Sequence, residues 1–259
     1  MITDQTNVLI LGGTGEARDL ATRATQIPGI TVINSWAGRT RQPILPIANT
    51  RIGGFGGTTG LISFLRQQQI DLLLDATHPF AAQISDHAAA AASLVGIPRL
   101  MLIRPPWQPL DNSAQGGLKD HWIEVDSHEE ARTVLPGLAE RIFLTIGRQE
   151  LSTFAPLQDL WFLMRMIEPP DPNRPIPPGR LLLQRGPFSL VEERSLLQQY
   201  EIGAIVSKNS GGEATYAKIR AARELGLPVV MVQRPPVPEG QQVADLEDAL
   251  GWLRQHGHS

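Results

Sequence analysis

The chain contains no cysteine, only three lysines and, within 259 residues, no apolar run near the ~18 residues that a membrane-spanning helix requires. Without cysteine there are no disulfides, no thiolate metal sites and no cysteine nucleophile. Nor does a basic segment followed by a signal-type apolar stretch open the chain, so the sequence predicts a cytoplasmic protein. A net charge of −3 denies it the basic field that nucleic-acid binding draws on. Because Lys119, Lys208 and Lys218 are the only lysines, arginine carries nearly all the positive charge. Arginine suits two-pronged capture of carboxylate or phosphate, but a composition rich in Ala, Arg, Gly and Pro also accounts for its abundance. Position along the chain has to decide between the two.

What is present begins with an apolar run at residues 8–11 that passes straight into Gly12, Gly13, Thr14, Gly15, Glu16 and Ala17. A buried strand that breaks on glycines and reopens as a helix makes a phosphate cradle. The backbone turns tightly there, and the free N–H groups and positive dipole end of the helix favour an anion. The pattern implies a dinucleotide, although a tight turn between strand and helix can use glycines without binding anything. Its spacing departs from G-x-G-x-x-G, with Arg18 where the third glycine would let the helix close onto the strand.

Downstream, apolar strands at 31–34, 71–75 and 99–103 alternate with helices at 16–25, 59–69 and 81–95. The second half repeats this grammar. Its strands fall at 122–125, 142–146, 161–167, 180–184, 204–207 and 229–232, its helices at 128–135, 190–200 and 214–225, with a proline-dense loop at 168–179. Such alternation predicts an α/β protein of two Rossmann-like domains, each a mainly parallel sheet flanked by helices, with a ligand cleft between them. The expected division is a nucleotide-binding domain at 1–107 and a substrate-binding domain at 108–259. Both halves end alike, in GIPRLMLIRPP from Gly96 and GLPVVMVQRPP from Gly226, which argues for two copies of one plan.

Ligands of open parallel sheets sit beyond the carboxyl ends of the strands. The loops expected there are rich in small residues and anion donors. Besides the first turn they hold Gly54, Phe55 and Gly56; Ala76, Thr77 and His78; Arg148; Arg185 and Gly186; and Lys208, Asn209, Ser210, Gly211 and Gly212.

Taken together, these loops resemble the precorrin-6A reductases of cobalamin biosynthesis, including the cobalt-precorrin form. The resemblance rests on ILGGTGEARDLA from Ile10, GGFGG from Gly53, DATHPFAAQIS from Asp75, IGRQEL from Ile146, RGPF from Arg185 and SKNSGG from Ser207, and so spans nearly the whole chain. It implies an NADPH-dependent reduction of one double bond of the precorrin-6A macrocycle, giving precorrin-6B. A tetrapyrrole carrying several carboxylates suits the arginines of the second half.

With that resemblance, the segment after the second strand favours NADPH over NADH. An acid that would grip a ribose 2′-OH is missing there, and Ser35, Arg39 and Thr40 stand instead. Arg39 is the expected partner of a 2′-phosphate, with Arg41 an equal competitor. Hydride transfer belongs to the nicotinamide, so the protein must orient two rings and manage a proton. Lys208 is the first candidate for an acid or electrostatic stabiliser, or equally for an ion pair with a substrate carboxylate. His78 is either a second catalytic group or a loop anchor. Arg148, Arg185 and Arg234 are assigned to substrate carboxylates, with Arg104 a further possibility. Gly186, Asn209, Ser210, Gly211 and Gly212 are expected to line the same ligand.

Ser210 has no His and Asp partners in view, which disfavours nucleophilic catalysis. The remaining histidines, His87, His121, His128, His256 and His258, show no ligand spacing with acids, so no protein metal site is expected, and the last two read as a polar tail. Trp36, Trp107, Trp122, Trp161 and Trp252 read as packing residues, Trp107 lying in the expected interdomain segment. Two other functions stay open, a reductase of a small substrate and a non-catalytic tetrapyrrole or nucleotide sensor. Oligomeric state is left open too, a monomer being compatible with the sequence.

Overall fold

In the computed structural model, which describes residues 5–36, 49–111 and 117–257, the first apolar run forms β1 (Thr6–Gly12), a central strand of a six-stranded sheet. The chain divides into two units, one of Met1–Pro105 with Pro235–Ser259 and the other of Pro106–Arg234. In the first unit, β2 (Ile30–Trp36), β3 (Thr50–Ile52), β4 (Leu72–Asp75) and β5 (Arg99–Leu102) join β1 in the order β5-β4-β1-β2-β3, with every neighbouring pair parallel. Strand periodicity sends Val8 and Ile10 to one face and Leu9 and Leu11 to the other. The first pair packs with Leu20 and Ala21 of α1 (Gly15–Ala24), the second with Leu61 and Leu65 of α2 (Gly57–Gln67) and Ala88 of α3 (Ala82–Val95). Helices on both faces explain why β1 reads as a continuous apolar run instead of an alternating one.

The second unit holds β6 (His121–Val125), β7 (Arg141–Thr145), β8 (Trp161–Met166), β9 (Gly179–Leu183), β10 (Ala204–Lys208) and β11 (Pro228–Val232), in the order β6-β11-β10-β7-β8-β9 and all parallel. Its helices are α4 (His128–Val134), α5 (Leu151–Phe154), α6 (Leu190–Gln199) and α7 (Ala217–Glu224). A reciprocal capping box between Ser189 and Glu192 starts α6. Phe143, Leu163, Ile205, Ile219 and Met231 form the core under α6 and α7, with Trp107 packed among them. A buried ion pair, Arg165 to Glu193 at 2.6 Å, lies in this unit. Lys218, wholly enclosed, has its pKa pushed down to about 8 by burial.

The two sheets share one plan, and counting six strands to a run along the chain, each sheet takes one edge strand from the other's run. After β5 the chain leaves to form β6, which pairs with β11; after β11 it returns to form β12 (Gln241–Val243), which pairs parallel with β5. The last strand of each Rossmann-like sheet is therefore exchanged. The sequence-based second domain at 108–259 is corrected accordingly, because 235–259 completes the first unit. The reason is local pattern: three residues at an edge carry no mark of the strand they will pair with.

Four elements were not foreseen: β3, α5, β12 and α8 (Leu246–His256). The expected polar tail is in part the amphipathic α8, which buries Ala249, Leu250, Trp252 and Leu253, and His256 stacks on Trp252 at 4.3 Å between ring centroids. His258 lies outside the described residues. Among the described residues no helix is long and apolar enough to cross a membrane.

Candidate functional site

In an open parallel sheet the strand order reverses at one place, and the loops leaving the two strands there splay apart to leave a crevice. In the first unit that place lies between β4 and β1. Thr14, leaving β1, caps α1 by accepting from the Ala17 N–H at 3.0 Å, and its hydroxyl donates to the Ala76 carbonyl, leaving β4, at 3.2 Å. One threonine thus fixes the helix start and ties both loops across the crevice. The first four N–H groups of α1 have no partner within the helix, and Thr14 satisfies one of them, so the cradle retains donors for an anion.

Two glycines of this turn have distinct reasons. A Cβ on Gly12 would stand 3.3 Å from the Ala17 Cβ and 3.4 Å from Asn34 Oδ1, so Gly12 and Ala17 make the close approach of helix to strand. The expectation that Arg18 occupies the close-packing position is corrected: fully buried Ala17 occupies it, while Arg18 pairs with Asp19 at 3.7 Å. Gly13 has φ +134°, which side chains rarely adopt. Gly13→Ala is expected to destabilise the first unit by about 1–3 kcal/mol, measured by urea unfolding, and to weaken nucleotide binding in proportion. Asn34 is buried beneath the turn with neither amide atom partnered among the described residues. A cradle without a Cβ, beside an orphaned buried amide, fits a phosphate-bearing ligand.

Several other expected cofactor residues gather in this unit. Glu16 in the first turn of α1 pairs with Arg104, so Arg104 is engaged within the first unit. Ser35, buried near the end of β2, accepts from Arg51 at 3.0 Å. Arg51 also donates to the carbonyls of Gly53 and Gly54, and its guanidinium lies 3.9 Å from the Phe55 ring centroid. It thereby shapes the loop that carries Gly54, Phe55 and Gly56 into α2. Sequence reading did not single out Arg51, although only Ile52 separates it from the glycine-rich segment. Arg39 and Thr40 lie outside the described residues, as does Arg41.

At the end of β4, buried Asp75 holds Thr77 through the Thr77 hydroxyl at 2.6 Å and N–H at 3.1 Å. His78 Nδ1 accepts from the Phe80 N–H at 3.2 Å, which puts the proton of the neutral ring on Nε2. That bond makes His78 an anchor of its loop.

In the second unit the strand order reverses between β10 and β7. Lys208 ends β10, and Glu150 stands immediately ahead of α5 after β7. Their side chains meet across the crevice at 3.2 Å. The expected ligand residues of this loop divide into two kinds. Asn209 is buried, accepts from the Trp107 N–H at 2.8 Å and donates to the Trp107 carbonyl at 3.1 Å. Arg234 donates to the carbonyls of Asn209 at 2.8 Å and Ser210 at 2.9 Å, and Trp107 Nε1 donates to the Gly212 carbonyl at 2.8 Å. Both residues support the loop: the Asn209 amide ties it to the Trp107 backbone, and the Arg234 guanidinium binds two of its carbonyls. Lys208, Ser210 and Gly212 are half-buried along this loop, and Gly211 is buried. Arg185 and Gly186 are exposed beyond β9, and Arg148 reaches the Pro169 carbonyl at 3.4 Å.

His128, at the start of α4, also went unassigned. Its Nε2 is buried without a hydrogen-bond partner among the described residues. Burial, followed by the positive charge of Lys208, holds its pKa below the ordinary value, while Glu150 and Glu129 pull the other way. Among the described residues no group of three or more His, Asp or Glu side chains is placed to hold a metal ion.

Residues 7–254 match the family described as Precorrin-6x reductase CbiJ/CobK. The chain is 49% identical over 249 residues to the precorrin-6A reductase of Rhodococcus erythropolis, covering 96% of this chain and 97% of that one. It is 26% identical over 257 residues to the cobalt-precorrin-6A reductase of Priestia megaterium, covering 94% and 96%. The solved structure of a CobK precorrin-6A reductase superposes with a TM-score of 0.89 at 39% identity, covering 98% of each chain.

Proposed function

The chain belongs to the precorrin-6x reductase family, and from that membership we propose that it reduces precorrin-6A to precorrin-6B with NADPH in cobalamin biosynthesis, in the cytoplasm. The observation that carries the reading is near-complete coverage of a precorrin-6A reductase at about half identity, together with a phosphate-type cradle at the switch point of the first sheet. The lower identity to the cobalt-precorrin relative favours a metal-free substrate.

Residues of the first unit would hold the cofactor. The Gly12–Thr14 turn and the start of α1 would take the pyrophosphate, and the loop shaped by Arg51 would line the neighbouring nucleotide. When bound, the dihydronicotinamide supplies a hydride. In the second unit Lys208, Arg148 and Arg185 would face the macrocycle, the arginines holding carboxylates and Lys208 supplying the proton that completes reduction of a double bond.

The test is NADPH oxidation by the purified protein with precorrin-6A or its cobalt form, while the macrocycle absorbance is followed. Coupled changes with the metal-free substrate are expected. Nucleotide binding with no change in either macrocycle would move a small-substrate reductase or a sensor ahead. For cofactor choice, Arg39→Ala is expected to lower the preference for NADPH over NADH by about tenfold to a hundredfold, the worth of a charged hydrogen bond. An unchanged ratio of kcat/KM values for the two cofactors would remove the 2′-phosphate from Arg39.

A further inference from the structure

We infer that Glu150 is a positioning residue that aims the Lys208 ammonium at the substrate, and that His128 gates this pair through its own protonation. The inference rests on the reading of Lys208 as proton donor. The ion pair and a buried histidine lead to it. Glu150 and Lys208 meet at 3.2 Å where the strand order of the second sheet reverses, the place such sheets reserve for ligands. Both side chains are largely enclosed, at 28% and 15% exposure, so the pair has a defined direction that a fully solvated ion pair lacks. His128 Nε2 is buried and unpartnered among the described residues, and among those residues Lys208 on β10 lowers its pKa while Glu150 before α5 and Glu129 on its own helix raise it.

The step balances as follows. Lys208 gives its ammonium proton to the ring carbon that holds the electron pair released when the adjacent carbon takes hydride from NADPH. One π bond would be lost and two C–H bonds formed, the hydride supplied by the dihydronicotinamide that the first unit would hold and the proton by Lys208. Lys208, now a neutral amine, regains a proton from water. Glu150 is not consumed; it holds the ammonium in line. His128 is neutral while Lys208 carries its charge. Protonated in acid, it sets a second cation against Lys208 and competes for Glu150, turning the donor away.

The experiment uses the full chain. The kcat of wild type, His128→Asn, Glu150→Gln and Glu150→Asp is followed from about pH 5 to about pH 9, with the His128 ring titrated by NMR in wild type and Lys208→Met. Wild-type kcat is expected to fall on the acid side, and His128→Asn to lose that limb. Glu150→Gln should lower kcat by about tenfold or more with a smaller change in KM, and Glu150→Asp should recover part of the loss. The His128 titration should move up in Lys208→Met. An acid limb unchanged in His128→Asn, or a Glu150→Gln effect confined to KM, would overturn the inference. If wild type fails to turn over, the reductase reading is what fails, and the NMR titration still decides: an unmoved His128 ends the proposed coupling.

Discussion

Deleting residues 241–259 is expected to unfold the first unit and abolish nucleotide binding, although the deletion lies more than a hundred residues beyond the last of the proposed cofactor loops. The segment supplies β12, which pairs with β5, and α8, which packs Leu250, Trp252 and Leu253 into the same core as Val8, Ile10 and Leu20. Burial of three such side chains contributes roughly 6 kcal/mol, against a total stability of about 5–15 kcal/mol for a domain. Specific bonds add to this. Thr6 donates to the Gly257 carbonyl at 3.1 Å, and Trp252 Nε1 donates to Gln241 at 2.7 Å. Circular dichroism with urea, followed by nucleotide titration, measures the outcome. The sequence-based division at 107 makes the opposite forecast, that nucleotide binding survives and the second domain is damaged. Retained nucleotide affinity in the truncated chain would show that β12 and α8 are dispensable to the first unit.

Lys208→Met is expected to lower kcat by about 10²–10⁴-fold, the usual worth of a positioned general acid, while NADPH affinity stays close to wild type. Lys208→Arg separates the two roles open to this residue. Guanidinium keeps the positive charge but does not give up a proton under ordinary conditions. If Lys208 acts as proton donor, arginine restores substrate affinity without restoring kcat. Recovery of kcat by arginine would assign Lys208 to holding a carboxylate. Because Lys208 lies in the second unit and the cradle at Gly12 and Thr14 in the first, nucleotide titration of the same variants serves as an internal control on folding.

Much of this architecture could be read from the chain before any coordinates. A buried parallel strand needs a continuous apolar run, and residues 8–11 supply one; a helix that starts on a tight turn needs glycine and a capping hydroxyl, and Gly13 and Thr14 supply both. These are local requirements, met within a few residues, and they place the glycine-rich loops and Lys208 at the carboxyl ends of their strands. What the tertiary structure alone decided is which distant groups meet. Asn209 reads as a ligand until its amide is seen paired with Trp107, and nothing in the sequence singles out Glu150 until it is found opposite Lys208. Above all, the exchange of β6 and β12 depends on edge pairing between segments more than a hundred residues apart, and backbone hydrogen bonds at a sheet edge carry no side-chain signature by which a sequence could name its partner.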